Sequence, residues 1–502
     1  MPRIYPAAVN ALTDSLSWRE VAAIAGGARL SLAESAWARI AHARALLEVI
    51  VERGTRCYGV NTGVGASCDL VVPRESQLAL SRNIVMSHAC GVGEPLGRRE
   101  TRAIMAAAIN NFAHGRSGVR AIIVEHLAAL LAADLIPVVP RQGSIGYLTH
   151  MAHIALVLLG FGQATGEGAP ISGAEALRRA GLAPLILEAK EGLSLVNGTP
   201  CVTGLACVAL ERLQRLLDWS DVIAAMSFEN VGSQLGAFAP AVIALRGSAG
   251  MAHSAACLTA LTQGSQILAQ ARQRTQDALS LRAVPQVHGA VRDRLREIAE
   301  LVDRELGAAT DNPILAGTLE APLVYSEAHP IATAMAMAMD SLSIAAAKLA
   351  AMSERRIDRL LNPLVSGLPG FLAAAGGVAS GLMIAQYTAL SLVSENRRLA
   401  APASLDGGVS SGLQEDEIPH STPAALKALQ VLDNLQTVLG IELMAASQAY
   451  ELQPPALARA AGTDRVYRQF RQRVKAYADE RPLGEDIARA AQHLDQAPGI
   501  SS

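Results

Sequence analysis

The chain has 502 residues, of which 51% are hydrophobic, only 3% aromatic and 18% charged, with a formal net charge of −2. That length can bury a large core, and an interior drawn from Ala, Leu, Val and Ile favours helices packed closely through small side chains. With 43 basic residues against 45 acidic ones and no basic block, the sequence has no electrostatic footprint for nucleic acid; the expected partners are a small molecule and further copies of the chain.

The first residues, MPRIYPAAVN, lack the apolar run of an export signal, so a cytoplasmic location is expected. Apolar residues then recur at spacings of three and four over Glu34–Glu52, Arg98–Ala133, Leu148–Gly160, Thr203–Leu217, Val291–Leu306, Ile331–Arg355, Gly381–Asn396 and Pro423–Leu452. Each reads as a helix, several of them long. Strand signals are weak and short, as at Leu323–Tyr325. These elements predict a mainly α fold: a long-helix bundle with a mixed N-terminal region that carries the functional loops. The expected division is 1–200 for the loop-bearing region and 201–502 for the bundle and a C-terminal helical region.

Between Leu360 and Ser394 there is no charged residue, and the run FLAAAGGVASGLMIAQYTALSL is long enough to cross a bilayer. Its glycines, serines and glutamine, and the lack of a comparable second segment, favour a central helix buried on all sides by protein, so no membrane is expected. The six cysteines, Cys57, Cys68, Cys90, Cys201, Cys207 and Cys257, form no CxxC pair and read as free thiols. His150 and His153 stand three apart at a helix start, a spacing that can chelate metal. No third ligand is evident, and no metal is expected.

Function is sought in the Gly/Pro-punctuated stretches between helices, because loops held on a rigid scaffold carry most chemistry. Five stand out: CYGVNTGVG (57–65), VMSHACGVGEPLG (85–97), RQGSIGYLTH (141–150), VNGTP (196–200) with RTQDALSLRAVPQVHG (274–289), and SSGLQEDEIPH (410–420). Taken singly each has an ordinary reading: tight turns, a satisfied histidine, a solvated acidic run. Tyr58 is also a candidate proton-transfer group, and a tyrosine base needs its pKa lowered by positive charge or hydrogen bonds.

Taken in order, YGVNTGVG, SHACGVGEPL, GSIG, LVNGT, QDALSLR with PQVHG, TDNP, SERR, MIAQ with SEN, and LQEDE resemble the aromatic amino acid ammonia-lyase family, with its histidine ammonia-lyase branch nearest. The resemblance covers roughly Arg53 to Leu452. It implies an enzyme that removes ammonia from L-histidine or a related aromatic amino acid to give an α,β-unsaturated, urocanate-like acid. It also implies a homotetramer whose sites draw residues from more than one subunit.

The family's electrophile, 4-methylidene-imidazol-5-one (MIO), forms autocatalytically from an Ala-Ser-Gly tripeptide that follows a Gly-Ser-x-Gly turn and precedes a helix. Its implied place is between Gly146 and Tyr147, flanked by Gly143, Ser144, Gly146 and Tyr147. The sequence passes directly from Gly146 to Tyr147. Either the tripeptide is absent, or the cyclised group stands outside the twenty-letter sequence; the completeness of the remaining site favours the second. By the same resemblance Tyr58 is the base that takes the β-proton, Arg282 pairs with the substrate carboxylate, and Asn197 and Gln276 hydrogen-bond around the reacting centre. Gly65 allows close approach of the loop. Ser87, His88 and Glu415 look histidine-type, and Met383 supplies a compact apolar contact.

Three departures stand against the family pattern. Tyr147 replaces an Asp, Leu279 replaces the Tyr of QDxYSLR, and Asn-Phe-His-Gly is reduced to Glu327-Ala328-His329-Pro330. The two opposite exchanges of Tyr suggest compensation, with the Tyr147 hydroxyl about 3 Å from another site group. Two alternatives stay open: an aminomutase, which the same electrophile and base would serve, and a catalytically silent homologue if the tripeptide is absent.

Overall fold

A computed structural model of the chain describes residues 11–166, 168–270, 275–496 and 498. The N-terminal segment read above, and Arg274 in the stretch 274–289, lie outside the described residues. Two compact units share the chain. The first comprises residues 11–211 with Ala299–Asp340 and Pro402–Leu426; the second comprises Arg212–Ile298, Ser341–Ala401 and the chain from Lys427 onward. Four long helices, Pro200–Asn230, Val284–Leu306, Thr333–Leu361 and Ser421–Glu451, carry residues assigned to each.

In the first unit the helix Glu34–Glu52 follows its sequence pattern: Ala36, Ile40, Ala43, Leu46, Leu47 and Ile50 form one buried stripe. Leu46, Leu47 and Ile50 pack with Cys57, Val60 and Leu315, so this stripe forms the floor beneath the 57–65 turn. The expected helix 98–133 is two helices, Arg98–Ala113 and Ala121–Ala132. Gly115 and Gly118 both adopt positive φ between them, and a Cβ on Gly118 would stand 2.6 Å from Leu315 Cδ1, so the break is built into the packing. The mixed character of this unit comes from three small antiparallel sheets. Strand Val92–Pro95 pairs with Pro140–Gln142. Strands Ile136–Pro137, Gln163–Thr165 and Ile171–Ser172 form the second sheet. A hairpin pairs Ile314–Gly317 with Pro322–Tyr325.

The second unit is helical, and its interior holds paired charges. Arg356 and Glu442, both fully buried, bond through Nε–Oε1 (2.6 Å) and Nη2–Oε2 (2.8 Å), and Ser227 and Ser353 donate to the same carboxylate at 2.7 and 2.6 Å. The uncharged stretch 371–393 corrects an expectation, because only from Met383 does it become helix, the helix Met383–Leu399. Gly381 turns the chain at φ +56 just before. That helix buries Ala385, Ala389 and Val393 along one face while Ile384 and Tyr387 are exposed, so it is amphipathic and not buried all round. Nor is 371–393 the chain's sole apolar segment of that length. The helical stretches Glu191–Asn230 and Thr333–Leu361 are long and apolar enough to cross a membrane, and their most apolar windows are 100% and 67% buried within the protein, as in core helices.

Candidate active site

The first unit encloses a pocket of about 1100 Å³. Its walls come from the turn after Cys57, the C-terminal end of the helix Gln77–His88, the 143–148 turn, the end of the helix Glu191–Val196, the segment 326–331 and the loop 410–417. Of the residues singled out in the sequence, Tyr58, Gly65, His88, Tyr147, Asn197 and Glu415 line it, as do Glu327, Ala328 and Pro330 of the departing segment.

Local chemistry fixes these groups. Asn61 folds the first turn, accepting from the Cys57 amide (2.8 Å) and donating to the Thr55 carbonyl (2.8 Å). Gly59, at φ +62, lies so close to Leu193 that a Cβ would come within 2.4 Å of its Cδ2, which seats the Tyr58 turn on the helix Glu191–Val196. The Gly65 amide then donates to the Tyr58 hydroxyl at 2.9 Å. Gly65 itself has φ +57, and a Cβ there would meet the Ser411 Oγ at 2.0 Å; the loop that approaches it is the one carrying Glu415. On that loop Ser410 and Glu415 pair through their backbones, and the Ser410 hydroxyl bonds the Glu415 carboxylate.

Asn197 caps the end of its helix. Its Nδ2 donates to the Asn312 carbonyl at 2.7 Å and its Oδ1 accepts from the Gly198 amide at 3.0 Å. Behind it Lys190, fully buried, donates to Asp311 and Ser194, both at 2.8 Å and 2.8 Å, and Ser194 donates to Asp311 at 2.7 Å. This network ties the Glu191–Val196 helix to the 310–312 segment and so fixes Asn197. Sequence reasoning quoted TDNP as a motif but missed the network, because Lys190 stands in the charged run Glu188-Ala189-Lys190-Glu191 and reads as a surface residue.

The electrostatics modify the expected roles. Burial raises the pKa of the Tyr58 phenol above its usual value, and nearby Glu415 adds to that; the Gly65 N–H opposes both and is outweighed. The lowered pKa expected of a base is therefore not found. Tyr147 is raised by burial and then by Glu415, so it stands as a protonated phenol. Burial lowers the pKa of His88, leaving a neutral ring whose Nδ1 lies 3.1 Å from the Ser87 hydroxyl. Ser87 thus touches His88 and lies off the pocket wall. Glu327 also lines the pocket; burial raises its carboxyl, and its Oε1 is buried without a hydrogen-bond partner.

The 143–149 segment is a closed turn. Ser144 Oγ donates to the Tyr147 carbonyl (3.0 Å), Thr149 Oγ1 to the Gly143 carbonyl (3.2 Å), and Thr422 Oγ1 to the Gly146 carbonyl (2.8 Å). The Leu148 amide donates to the Val196 carbonyl at 2.9 Å. Leu148 sits at φ 78, ψ −77, and the Thr149 amide returns to the Tyr147 carbonyl at 3.2 Å, which is a γ-turn, a strained conformation for a side-chain-bearing residue. The helix Thr149–Leu158 starts directly after it. The chain runs directly from Gly146 to Tyr147, and the carbonyls of Gly143, Gly146 and Tyr147 each accept a hydroxyl. The expected short contact of the Tyr147 hydroxyl is corrected, since it lies 3.5 Å from Glu415 Oε1, at the outer limit of a hydrogen bond.

Gln276, Leu279, Arg282 and Met383 belong to the second unit. There the Gln276 carboxamide faces Arg282, with its oxygen oriented to accept from Nε at 3.0 Å, and Arg282 Nε also donates to the Asp277 carbonyl at 2.8 Å. Leu279 opens a short helix, Leu279–Arg282, and is 63% exposed. His150 Nε2 meets the Arg141 carbonyl at 3.0 Å and His153 Nε2 accepts from the Gly91 amide at 3.0 Å, so both rings hold the turn in place. Among the described residues no group of three His, Cys, Asp or Glu side chains is placed to hold a metal ion.

A helical protein with two phenols, a neutral imidazole, an amide and carboxylates around one pocket is equipped for proton transfer on a small polar aromatic ligand. The sequence matches the family model for aromatic amino acid lyases over residues 16–472, and the chain belongs to that family. It is 45% identical to a histidine ammonia-lyase of Symbiobacterium thermophilum, over 95% of this chain and 94% of that one. Among solved structures it is similar to a histidine ammonia-lyase from Trypanosoma cruzi, with TM-score 0.89, 32% identity and coverage of 97% and 93%. It is also similar to a tyrosine aminomutase from Streptomyces globisporus, with TM-score 0.91, 33% identity and coverage of 96% and 95%.

Proposed function

We propose that this chain is a carbon–nitrogen lyase that eliminates the amine from L-histidine or a related aromatic amino acid, giving the α,β-unsaturated acid. The observation that carries the reading is the gathering of Tyr58, His88, Asn197 and Glu415 around one pocket in a chain of this family. Tyr58, as phenolate, takes the β-proton; the C–H electron pair becomes the double bond, and the C–N pair departs with nitrogen. Glu415 and the neutral His88 accept from and donate to an imidazole ring, partners that a bare phenyl would leave unsatisfied. Asn197, with one N–H beyond that used by Asn312, orients the reacting end. Gly65 shapes the pocket; by the family resemblance Arg282, supported by Gln276, is the carboxylate fork and Met383 an apolar substrate contact. A homotetramer in the cytoplasm, with no nucleic acid or membrane partner, completes the reading; the exposed Ile384, Tyr387 and Leu390 on the helix Met383–Leu399 suit burial against further copies.

MIO dependence belongs to the family, but the residues present here do not fit the group. The serine nearest its place, Ser144, is followed by branched Ile145 and has its hydroxyl engaged by Tyr147, and the neighbouring carbonyls are bonded. The chemistry of this chain falls to its side chains. That mismatch is also what favours the second reading, a homologue that binds amino acids without turnover. Incubation with L-histidine and related amino acids separates the readings. An unsaturated acid with free amine means lyase, a β-amino acid means mutase, and saturable binding without product means the silent homologue.

A further inference from the structure

We propose that Asn312 is a further substrate-binding residue: its carboxamide N–H groups take the α-carboxylate of the amino acid, and the unpartnered oxygen of Glu327, on the same wall of the pocket, takes the α-ammonium. The inference rests on the amine-eliminating reading above and assigns the end of the substrate that His88 and Glu415 leave unheld.

Asn312 has four polar groups, and three of them are spent on building the wall. Its backbone amide donates to Asp311 Oδ1 at 2.8 Å, its carbonyl accepts from Asn197 Nδ2 at 2.7 Å, and its Oδ1 accepts from the Glu327 amide at 3.0 Å. A backbone N–H can face only the oxygen of a carboxamide, so the Glu327 amide fixes which way the Asn312 side chain is turned. Nδ2 is left with both hydrogens and no partner among the described residues, on a residue that lines the pocket. It is not among the buried unpartnered atoms, so a ligand can reach it.

The donor is also held still. Asp311 Oδ2 accepts from Lys190 Nζ at 2.8 Å and from Ser194 Oγ at 2.7 Å, with both charged side chains buried. Lys190 adopts φ +70, a left-handed conformation that a residue with a side chain keeps only where its surroundings impose it. A buried ion pair is weak evidence for stability, because desolvation offsets its attraction. Its contribution here is geometric: it sets the direction in which Asn312 leaves Asp311.

The wall matches the charged end of an α-amino acid in kind. A carboxylate only accepts, and an ammonium only donates. Asn312 Nδ2 and the second N–H of Asn197 are donors on residues bonded directly to each other. Glu327 Oε1 is an acceptor without a partner, while Oε2 of the same carboxyl accepts from the His329 amide. Because the Glu327 amide rests on Asn312 Oδ1, donors and acceptor belong to one hydrogen-bonded unit. A carboxylate offers about four acceptor positions, so Asn312 adds to an Arg282 fork and does not compete with it.

The test measures binding to the full-length protein by calorimetry with three probes. L-histidine carries both charges, 3-(imidazol-4-yl)propionate keeps only the carboxylate, and histamine keeps only the ammonium. Asn312→Asp retains the oxygen that accepts from the Glu327 amide and replaces the free Nδ2 by a second oxygen. Glu327→Gln retains an oxygen for the His329 amide and turns an NH2 toward the ligand. Thermal melting checks that both variants fold. Asn312→Asp is expected to weaken the propionate at least about tenfold without weakening histamine, and Glu327→Gln to do the reverse. Propionate bound as tightly by Asn312→Asp as by the parent overturns the proposal. So does an equal loss of both one-charge probes in either variant, which reports general damage and not a charge at one end. If Asn312→Asp does not fold, Glu327→Gln decides, since the two halves of the wall stand or fall together. A wild-type chain that shows the expected binding pattern but makes no unsaturated acid from L-histidine contradicts the lyase reading alone. One that binds no probe overturns both.

Discussion

Two carboxylates, Glu442 inside the second unit and Glu327 at the pocket of the first, are arranged to opposite effect. Around Glu442 both carboxylate oxygens are engaged twice over, by the Arg356 fork and by Ser227 and Ser353, in full burial. Around the pocket, Glu327 keeps an unpartnered oxygen, the Tyr147 hydroxyl stops 3.5 Å short of Glu415, and the Tyr58 and Tyr147 phenols and the His88 ring are pushed by burial toward their neutral forms. A carboxylate with both oxygens filled helps to fix a fold, even though Arg356 Nη1 beside it has no partner, whereas a carboxylate with capacity left over is available to a ligand.

Substitutions can break that contrast. Tyr58→Phe is expected to cost about 10²–10⁴ in kcat while leaving the melting temperature nearly unchanged, measured by product formation and by calorimetry. Glu442→Ala is expected to do the reverse. It strands Arg356 in the interior and destabilises the protein by about 3–5 kcal/mol, read from denaturant unfolding. Glu415→Gln replaces the carboxylate facing an imidazole with a neutral, weaker acceptor and is expected to reduce kcat/KM by about 1–3 kcal/mol of transition-state binding, with little change in stability.

pH sharpens the comparison with smaller effects. Burial lowers the pKa of His150, beneath the turn, from its ordinary value to about 4. The unfolded chain then binds a proton that the folded one refuses, so this contribution to stability is complete above about 6.5 and is lost as pH falls toward about 4. Tyr58 has the opposite sense. Its folded pKa is raised, so its contribution is complete below about 10 and declines as pH rises beyond that, while a rate that depends on its phenolate climbs over the same range. Urea unfolding and kcat/KM profiles across pH check both directions.

Much of this was legible in the sequence. The helix Glu34–Glu52 has the boundaries that its three-and-four spacing gave, because its apolar stripe is the face that packs. The ordered loop motifs led to Tyr58, His88, Asn197 and Glu415, which line one pocket. Periodicity failed where backbone geometry overrides it: positive-φ glycines divide 98–133, and turns precede Met383 in the uncharged stretch. Long-range closure was not legible at all. Nothing local announces that Thr422 seals the Gly146 carbonyl or that Lys190 finds Asp311, since both pairs join residues more than a hundred positions apart.

The most direct test of the account is product formation by the wild-type chain and Tyr58→Phe, each with L-histidine and related aromatic amino acids, following the unsaturated acid by its absorbance and the released amine in parallel. The account predicts acid and amine in equal amounts from the wild type, and binding with product formation slowed at least about a hundredfold in the variant. An inert wild-type chain, or a Tyr58→Phe variant as active as the parent, would contradict it.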